Sequence, residues 1–342
     1  MYRKLKHCLA ILGWKTLALT RKELRLFAVI ICTVVFVVIL GDCDFLKSNH
    51  STAPPTFSSS FIPRHDCKSW KTTPQHKTTL ITKTTCEQDY FLLILVSTAP
   101  ENLQRRNLIR QTWGTDTHLT APMFKTYFLL GRTRNQTLSD LLHTENGVYG
   151  DMIRADYYEN YWNQSLKIQM AFEWAARYCS FSYLLKADDD VLVNNDDLIK
   201  FLQRGTTPNK GLFMGMLHHN PIVRREGKWT VSYNEYSGTH YPDFCSGAGF
   251  VMSYDVIECL VALFDVIKPY RMDDVYVGML ANESGVIAVD HSGFYMPIDD
   301  YDDCIFVPNT LVQHRATGQC LLKLLRMHGK DYPYGTNLGS FF

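Results

Sequence analysis

From Tyr90 to Val96 the chain reads Tyr-Phe-Leu-Leu-Ile-Leu-Val, an apolar run of strand length with no polar break. A strand with one wet face alternates apolar and polar residues, so an unbroken run belongs to a strand buried on both faces. The residues after it alternate between helix and strand patterns. Leu103, Leu108, Ile109 and Trp113 fall near helical spacing, and Phe124–Leu130 predicts a second strand ended by Gly131. Leu138–Leu142 predicts a short helix, Asp151–Ala155 a strand, and Asn163–Tyr178 a long helix with Leu166, Met170, Trp174 and Ala175 on one side. Ser182–Ala187 predicts a strand that runs directly into three aspartates, followed by a helix over Asp196–Gln203 and an extended Leu212–Leu217. This order predicts an α/β fold with a mostly parallel central sheet flanked by helices. Ligands of such sheets sit at the carboxyl ends of strands, which is where the aspartates fall.

The N-terminal segment sets the compartment. Residues 1–23 carry Arg3, Lys4, Lys6, Lys15, Arg21 and Lys22 against Glu23 alone, and residues 24–40 are almost wholly apolar. About 17 residues is the lower limit for crossing a bilayer. The basic flank predicts a cytosolic tail (1–23), a signal-anchor (24–40) and a lumenal C-terminus. A cleaved signal peptide is the alternative, but its small-residue cleavage pattern is absent. A short span suits the thinner endoplasmic reticulum and Golgi membranes. Residues 41–86, rich in Ser, Thr, Pro and Lys, read as a disordered stem, leaving 87–342 as the lumenal domain. Eight of the ten cysteines follow the span, where disulfides persist. The lack of any Cys-x-x-Cys pair argues against zinc. Sequons at Asn49, Asn135, Asn163 and Asn282 agree with a lumenal chain. A formal charge of +1 argues against a nucleic-acid partner.

Four constellations can carry chemistry. Lys186-Ala187-Asp188-Asp189-Asp190 places carboxylates at i and i+2 at a strand end. There they can share a hard divalent ion with substrate phosphates, as Mg²⁺ sites do; an acidic turn is the alternative. In Met272-Asp273-Asp274-Val275, Asp273 can cap the following helix, which leaves Asp274 as a candidate general base. Tyr241 to Phe250 contains Ser246-Gly247-Ala248-Gly249. These small residues allow close backbone approach to a ligand, or form a tight turn before a strand at Phe250–Met252. Arg106 and Arg110 share a helix face and can meet phosphates from it; a solvated basic face is the alternative. His314 stands alone late in the chain.

Together, Arg106–Gly114, Lys186–Asn194, Tyr241–Phe250 and Asp273–Gly278 resemble the β-1,3-glycosyltransferase family in the family's own motif order, over roughly residues 89–320. The resemblance implies a GT-A fold and an inverting transfer from a UDP-sugar. It implies that Asp190 and His314 hold Mn²⁺ or Mg²⁺ and that Asp274 is the base. Arg106, Arg110, Lys186, Asp188 and Asp189 would lie on the donor side. Trp229, Tyr241, Gly247, Ala248 and Gly249 would lie on the acceptor side. It also implies a Golgi membrane protein acting on the glycans of glycoproteins or glycolipids. Cys245-Ser246-Gly247 is worded more like the galactosyl branch, with UDP-GlcNAc as the alternative donor. A non-catalytic chaperone or glycan-binding relative would be expected to lose the carboxylates kept here. The sequence departs from the family at Asp243, where the pattern has a second proline after Pro242.

Overall fold

The computed structural model describes residues 79–82, 85–116, 123–297 and 304–330. The tail, the anchor at 24–40, Asn49, most of the stem and residues 331–342 lie outside the described residues. Among those described, no helix is long and apolar enough to cross a membrane.

The expected alternation is present. β1 (Asp89–Ser97), α1 (Leu103–Gln111), β2 (Phe124–Arg132), α2 (Gln136–Tyr149), β3 (Met152–Tyr158), α3 (Gln164–Tyr178) and β4 (Ser180–Asp188) follow in turn. Next come β5 (Val191–Val193), α4 (Asn195–Leu202), β6 (Phe213–His218), β7 (Phe244–Ser253), α5 (Tyr254–Ala262) and α6 (Asp273–Ser284). Short strands β8 (Val289–Asp290), β9 (Phe294–Tyr295) and β10 (Val312–His314) precede α7 (Gly318–Met327). α2 is longer than the short helix predicted. Asn135 caps it, its side chain accepting from the Leu138 amide, and Gly150 ends it at φ 63°, a left-handed position that favours glycine.

One sheet runs β3-β2-β1-β4-β7-β6-β8. All its neighbouring pairs are parallel except those that β7 makes with β4 and β6. β6 and β7 are joined by a long excursion without a helix, and that connection lets them pair antiparallel. β1 is buried on both faces as its sequence requires. Leu93 and Leu95 enter one core with α3, α5 and α6. Leu92, Ile94 and Val96 enter the other with α1, α4 and α7.

Three local expectations change. The stem does not run to 86: Leu80 bridges to Ala155, the Ile81 amide donates to Arg154 O at 2.7 Å, and Cys86 is bonded to Cys179. Backbone hydrogen bonding to β3 therefore begins at Thr79. Residues 246–249 are not a tight turn but lie inside β7. Gly249 is small because a Cβ there would meet Val312 Cγ1 at 2.9 Å. The cap of α6 is Met272, and Asp273 and Asp274 both occupy its first turn, where the helix dipole favours carboxylates.

Candidate functional site

A cleft of about 1200 Å³ opens at the carboxyl ends of β1 and β4. Its walls come from the Ser97–Ala99 loop, Asp188–Asp190, Ser246–Ala248, Met272–Val275 and His314. The connection between β6 and β7 adds Asn220, Pro221, Ile222, Trp229 and Tyr241.

Asp190 leaves β4 just before β5. A second, three-stranded sheet in the order β5-β10-β9 pairs Val191 with His314, and the Ala316 amide donates to Asp190 O at 2.8 Å. His314 Nε2 thereby stands 3.5 Å from Asp190 Oδ1. That oxygen is buried and has no hydrogen-bond partner among the described residues. Burial alone would raise the Asp190 pKa, but His314, Arg105 and Lys186 hold it below the usual carboxylate range. No group of three or more candidate metal ligands exists among the described residues. An orphaned carboxylate oxygen facing an imidazole still fits a divalent ion that takes its remaining ligands from phosphates and water.

Asp189 plays a different part. Its Oδ2 accepts from Thr98 Oγ1 at 2.6 Å and Asn102 Nδ2 at 2.8 Å, and its Oδ1 accepts from Arg105 Nη1 at 2.7 Å. Both oxygens are occupied, so Asp189 ties the β4 end to the β1 loop and to α1 rather than facing a donor.

Lys186 is buried beneath the cleft. Its Nζ donates to Asp188 Oδ1 at 2.6 Å and to Gly247 O, and lies 3.6 Å from Asp273 Oδ2. Burial would lower its pKa, but Asp188 and Asp273 raise it, so it remains an ammonium. Asp274 lies at the cleft wall, its Oδ1 accepting from the Val275 amide at 2.8 Å. A Cβ on Gly247 would sit 3.4 Å from Asp274 Cβ, so the glycine keeps the space beside this carboxylate open. Burial, then the charge of Asp273, pushes the Asp274 pKa up to about 7. A carboxylic acid titrating there can hold or release a proton near neutrality.

Asp188, Asp189, Asp190, Trp229, Tyr241, Gly247, Ala248, Asp274 and His314 thus meet at one cleft. Arg106 and Arg110 do not reach it. Arg106 is fully buried, forks onto both Glu145 oxygens at 2.8 Å, and donates to Ala99 O at 2.7 Å. Arg110 pairs with Asp151 at 2.8 Å and with Glu145 at 2.7 Å. Both arginines turn to the same side of α1, where α2 supplies Glu145 as their partner. Gly249 also leaves the acceptor side, since it packs on Val312. Arg105, unremarked in the sequence, lines the cleft beside Asp189 and Asp190, as Arg224 and Arg271 do elsewhere on its walls; its adjacency to Arg106 was the available signal. Lys167, on α3, was missed as well: its Nζ donates to Thr98 O at 2.8 Å and lies 3.2 Å from Glu159 Oε1. Of the sequons, Asn135 and Asn282 are exposed and Asn163 is half-buried.

The galactosyltransferase family model matches residues 104–292. Beta-1,3-galactosyltransferase 1 of Mus musculus and of Homo sapiens are each 34% identical over 213 residues, 61% of this chain and 65% of the relative. Lactosylceramide 1,3-N-acetyl-beta-D-glucosaminyltransferase of Homo sapiens is 34% identical over 262 residues, 73% of this chain. The chain thus spans 65% of the length of each of these relatives. Among solved structures, galactosyltransferase LgtC in complex with donor and acceptor sugar analogs superposes with a TM-score of 0.37 at 11% identity, over 73% of this chain and all of that one, too distant to bear on the chemistry. A family model that takes in more than half of the chain, together with these relatives, establishes that the chain belongs to the galactosyltransferase family.

Proposed function

We propose that this chain is an inverting, metal-dependent GT-A hexosyltransferase that moves galactose from UDP-galactose in β-1,3 linkage to a terminal sugar of a glycoprotein or glycolipid glycan. The observation that carries the reading is the meeting of Asp190, His314 and Asp274 at one cleft from three distant segments. Asp190 and His314 would hold Mn²⁺ or Mg²⁺, which when bound neutralises charge on a diphosphate leaving group. Arg105, 41% exposed and 3.7 Å from Asp190 Oδ2, offers a further positive charge to the phosphates. Lys186 restrains Asp188 and the Gly247 carbonyl, fixing the floor between the donor and acceptor sides.

Asp274 takes the proton of the acceptor hydroxyl. As that oxygen bonds to the anomeric carbon, the bond from this carbon to the UDP oxygen breaks and UDP departs with the electron pair. The proton stays on the Asp274 carboxyl group. A base with a pKa near the working pH is suited to this step, and such a base contributes about 10²–10⁴-fold. Trp229 and Tyr241 offer aromatic surface to the acceptor, and the small side of β7 at Gly247–Ala248 lets it approach. The basic N-terminal flank and apolar run support placement as a single-pass Golgi membrane protein with this domain in the lumen.

The donor sugar has a second candidate. The human N-acetylglucosaminyl relative matches a larger share of this chain than the galactosyl relatives do, which favours UDP-GlcNAc as the alternative. The test is incubation of the full chain in detergent with Mn²⁺, a panel of UDP-sugars and β-linked acceptors, with product linkage read by NMR. A β-1,3-galactosyl product is expected; absence of any β-linked product with every donor overturns the transferase reading.

A further inference from the structure

The long connection between β6 and β7 forms one wall of the cleft, and one side chain contacts both residues at which it leaves β6. The outgoing strand of this connection runs back along the returning one: the Val223 amide donates to Thr239 O at 2.9 Å and the Tyr241 amide to Pro221 O at 2.9 Å. Where the chain leaves β6, Asn220 adopts φ 46°, a left-handed conformation that asparagine tolerates better than most residues other than glycine. The partner is Asp243. Its Oδ1 accepts from the Asn220 amide at 2.8 Å, and its Oδ2 lies 2.8 Å from His219 Nδ1. On its other side the backbone of Asp243 rests on α6. A Cβ at Gly278 would come within 2.8 Å of Asp243 O and 2.6 Å of Phe244 Cβ. One residue therefore touches both the helix that begins with Asp273 and Asp274 and the turn that aims Asn220, Pro221 and Ile222 into the cleft.

We propose that Asp243 is a positioning residue for acceptor choice: its carboxylate fixes the Asn220–Ile222 wall relative to Asp274, and so sets which acceptor fits between them. The inference rests on the transferase reading above. The His219 ring is 79% exposed, so its pairing adds little; the charge-assisted bond to the Asn220 amide carries the effect. This is also the position at which the sequence leaves the motif it resembles, and a proline side chain offers no acceptor atom.

The experiment measures acceptor and donor kinetics for Asp243→Ala and Asp243→Asn in the full chain, together with backbone hydrogen exchange over 219–223 and 273–284. Loss of a bond of this kind is expected to raise the acceptor KM of Asp243→Ala about tenfold, with kcat and donor KM within about twofold. Asp243→Asn, which keeps an amide oxygen for Asn220 without the charge, recovers part of the loss. Exchange should quicken over 219–223 and stay unchanged over 273–284. An unchanged acceptor KM, or a loss shared equally by donor and acceptor, overturns the proposal. If the wild-type chain transfers no sugar, the transferase reading has failed, and unchanged exchange over 219–223 in Asp243→Ala would separately show that no such restraint exists.

Discussion

His314 reaches within 3.5 Å of Asp190 because β10 pairs with β5 and sets His314 opposite Val191, the residue after Asp190. The pairing belongs to a small accessory sheet rather than to the main one, so the juxtaposition depends on how well that accessory sheet packs. Asp190→Ala and His314→Ala should each weaken Mn²⁺-dependent binding of UDP and leave the melting temperature within a few degrees of wild type. Calorimetric titration of UDP with and without Mn²⁺ checks this; wild-type Mn²⁺-dependent UDP affinity in both variants removes these residues from the ion site.

The accessory sheet can be pushed without touching the cleft. Gly249→Ala drives a methyl to 2.9 Å from Val312 Cγ1, two residues from His314 on β10. Overpacking of this kind costs about 1–3 kcal/mol. The expected outcome is a lower melting temperature together with weaker metal-dependent UDP binding. Gly247→Ala, whose new Cβ has 3.4 Å to Asp274, should fold normally and lose turnover instead.

Asp274 predicts a pH dependence with a definite sign. Its folded pKa is raised from 3.8 to about 7 by burial and Asp273, so the base is ionised above about 7 and kcat should rise with pH through that value. Asp274→Asn should keep UDP binding and lose about 10²–10⁴-fold in kcat. Linkage gives a second reading of the same group. The folded state holds a proton that the unfolded chain releases, so this contribution to stability is complete below the unfolded pKa and is lost as pH rises toward 7. Asp274→Asn should therefore raise the melting temperature at pH 8 and change it little at pH 4, which scanning calorimetry at the two pH values would test.

Arg105 and Arg106 should separate cleanly despite being adjacent. Arg106→Met removes a fully buried cation from Glu145, which keeps Arg110, so the cost should fall near the lower end for a broken buried pair, about 3 kcal/mol. Arg105→Met, at a 41% exposed site, should cost less stability than Arg106→Met, because the buried Asp189 it leaves keeps Thr98 and Asn102, yet weaken UDP binding. Chemical denaturation and UDP titration of both variants distinguish the roles; a destabilised Arg105→Met with normal UDP affinity would contradict them.

Lys186→Met leaves Asp188 and Asp273 facing each other around the vacated ammonium. Because Asp188 is 37% exposed, the cost should fall near the lower end for a broken buried pair, about 3 kcal/mol. Denaturation at pH 7 measures it, and the loss should shrink toward acidic pH, where Asp188, whose pKa burial already raises, takes a proton.

Much of this protein is legible in its residues one stretch at a time. The unbroken run at Tyr90–Val96, the helix over Asn163–Tyr178 and the strand that delivers Asp188–Asp190 all follow from local periodicity, because burial on one face or two writes itself into neighbouring positions. Local pattern alone did not decide among partners from elsewhere in the chain. Adjacent residues on a helix differ by about 100° in direction, so which of Arg105 and Arg106 faces the cleft depended on the packing of α1 and on Glu145, which α2 brings to meet it. Residues 246–249 lie in strand rather than turn because β7 is paired on both sides of them, Gly249 with Ala187 of β4 and Cys245 with Leu217 of β6. His314 looked isolated until β5 gave β10 an edge. Secondary structure and the chemistry of single side chains were thus set by sequence, whereas the joining of Asp190, His314 and Asp274 at one cleft was set by long-range pairing and packing, whose partners no local stretch specifies.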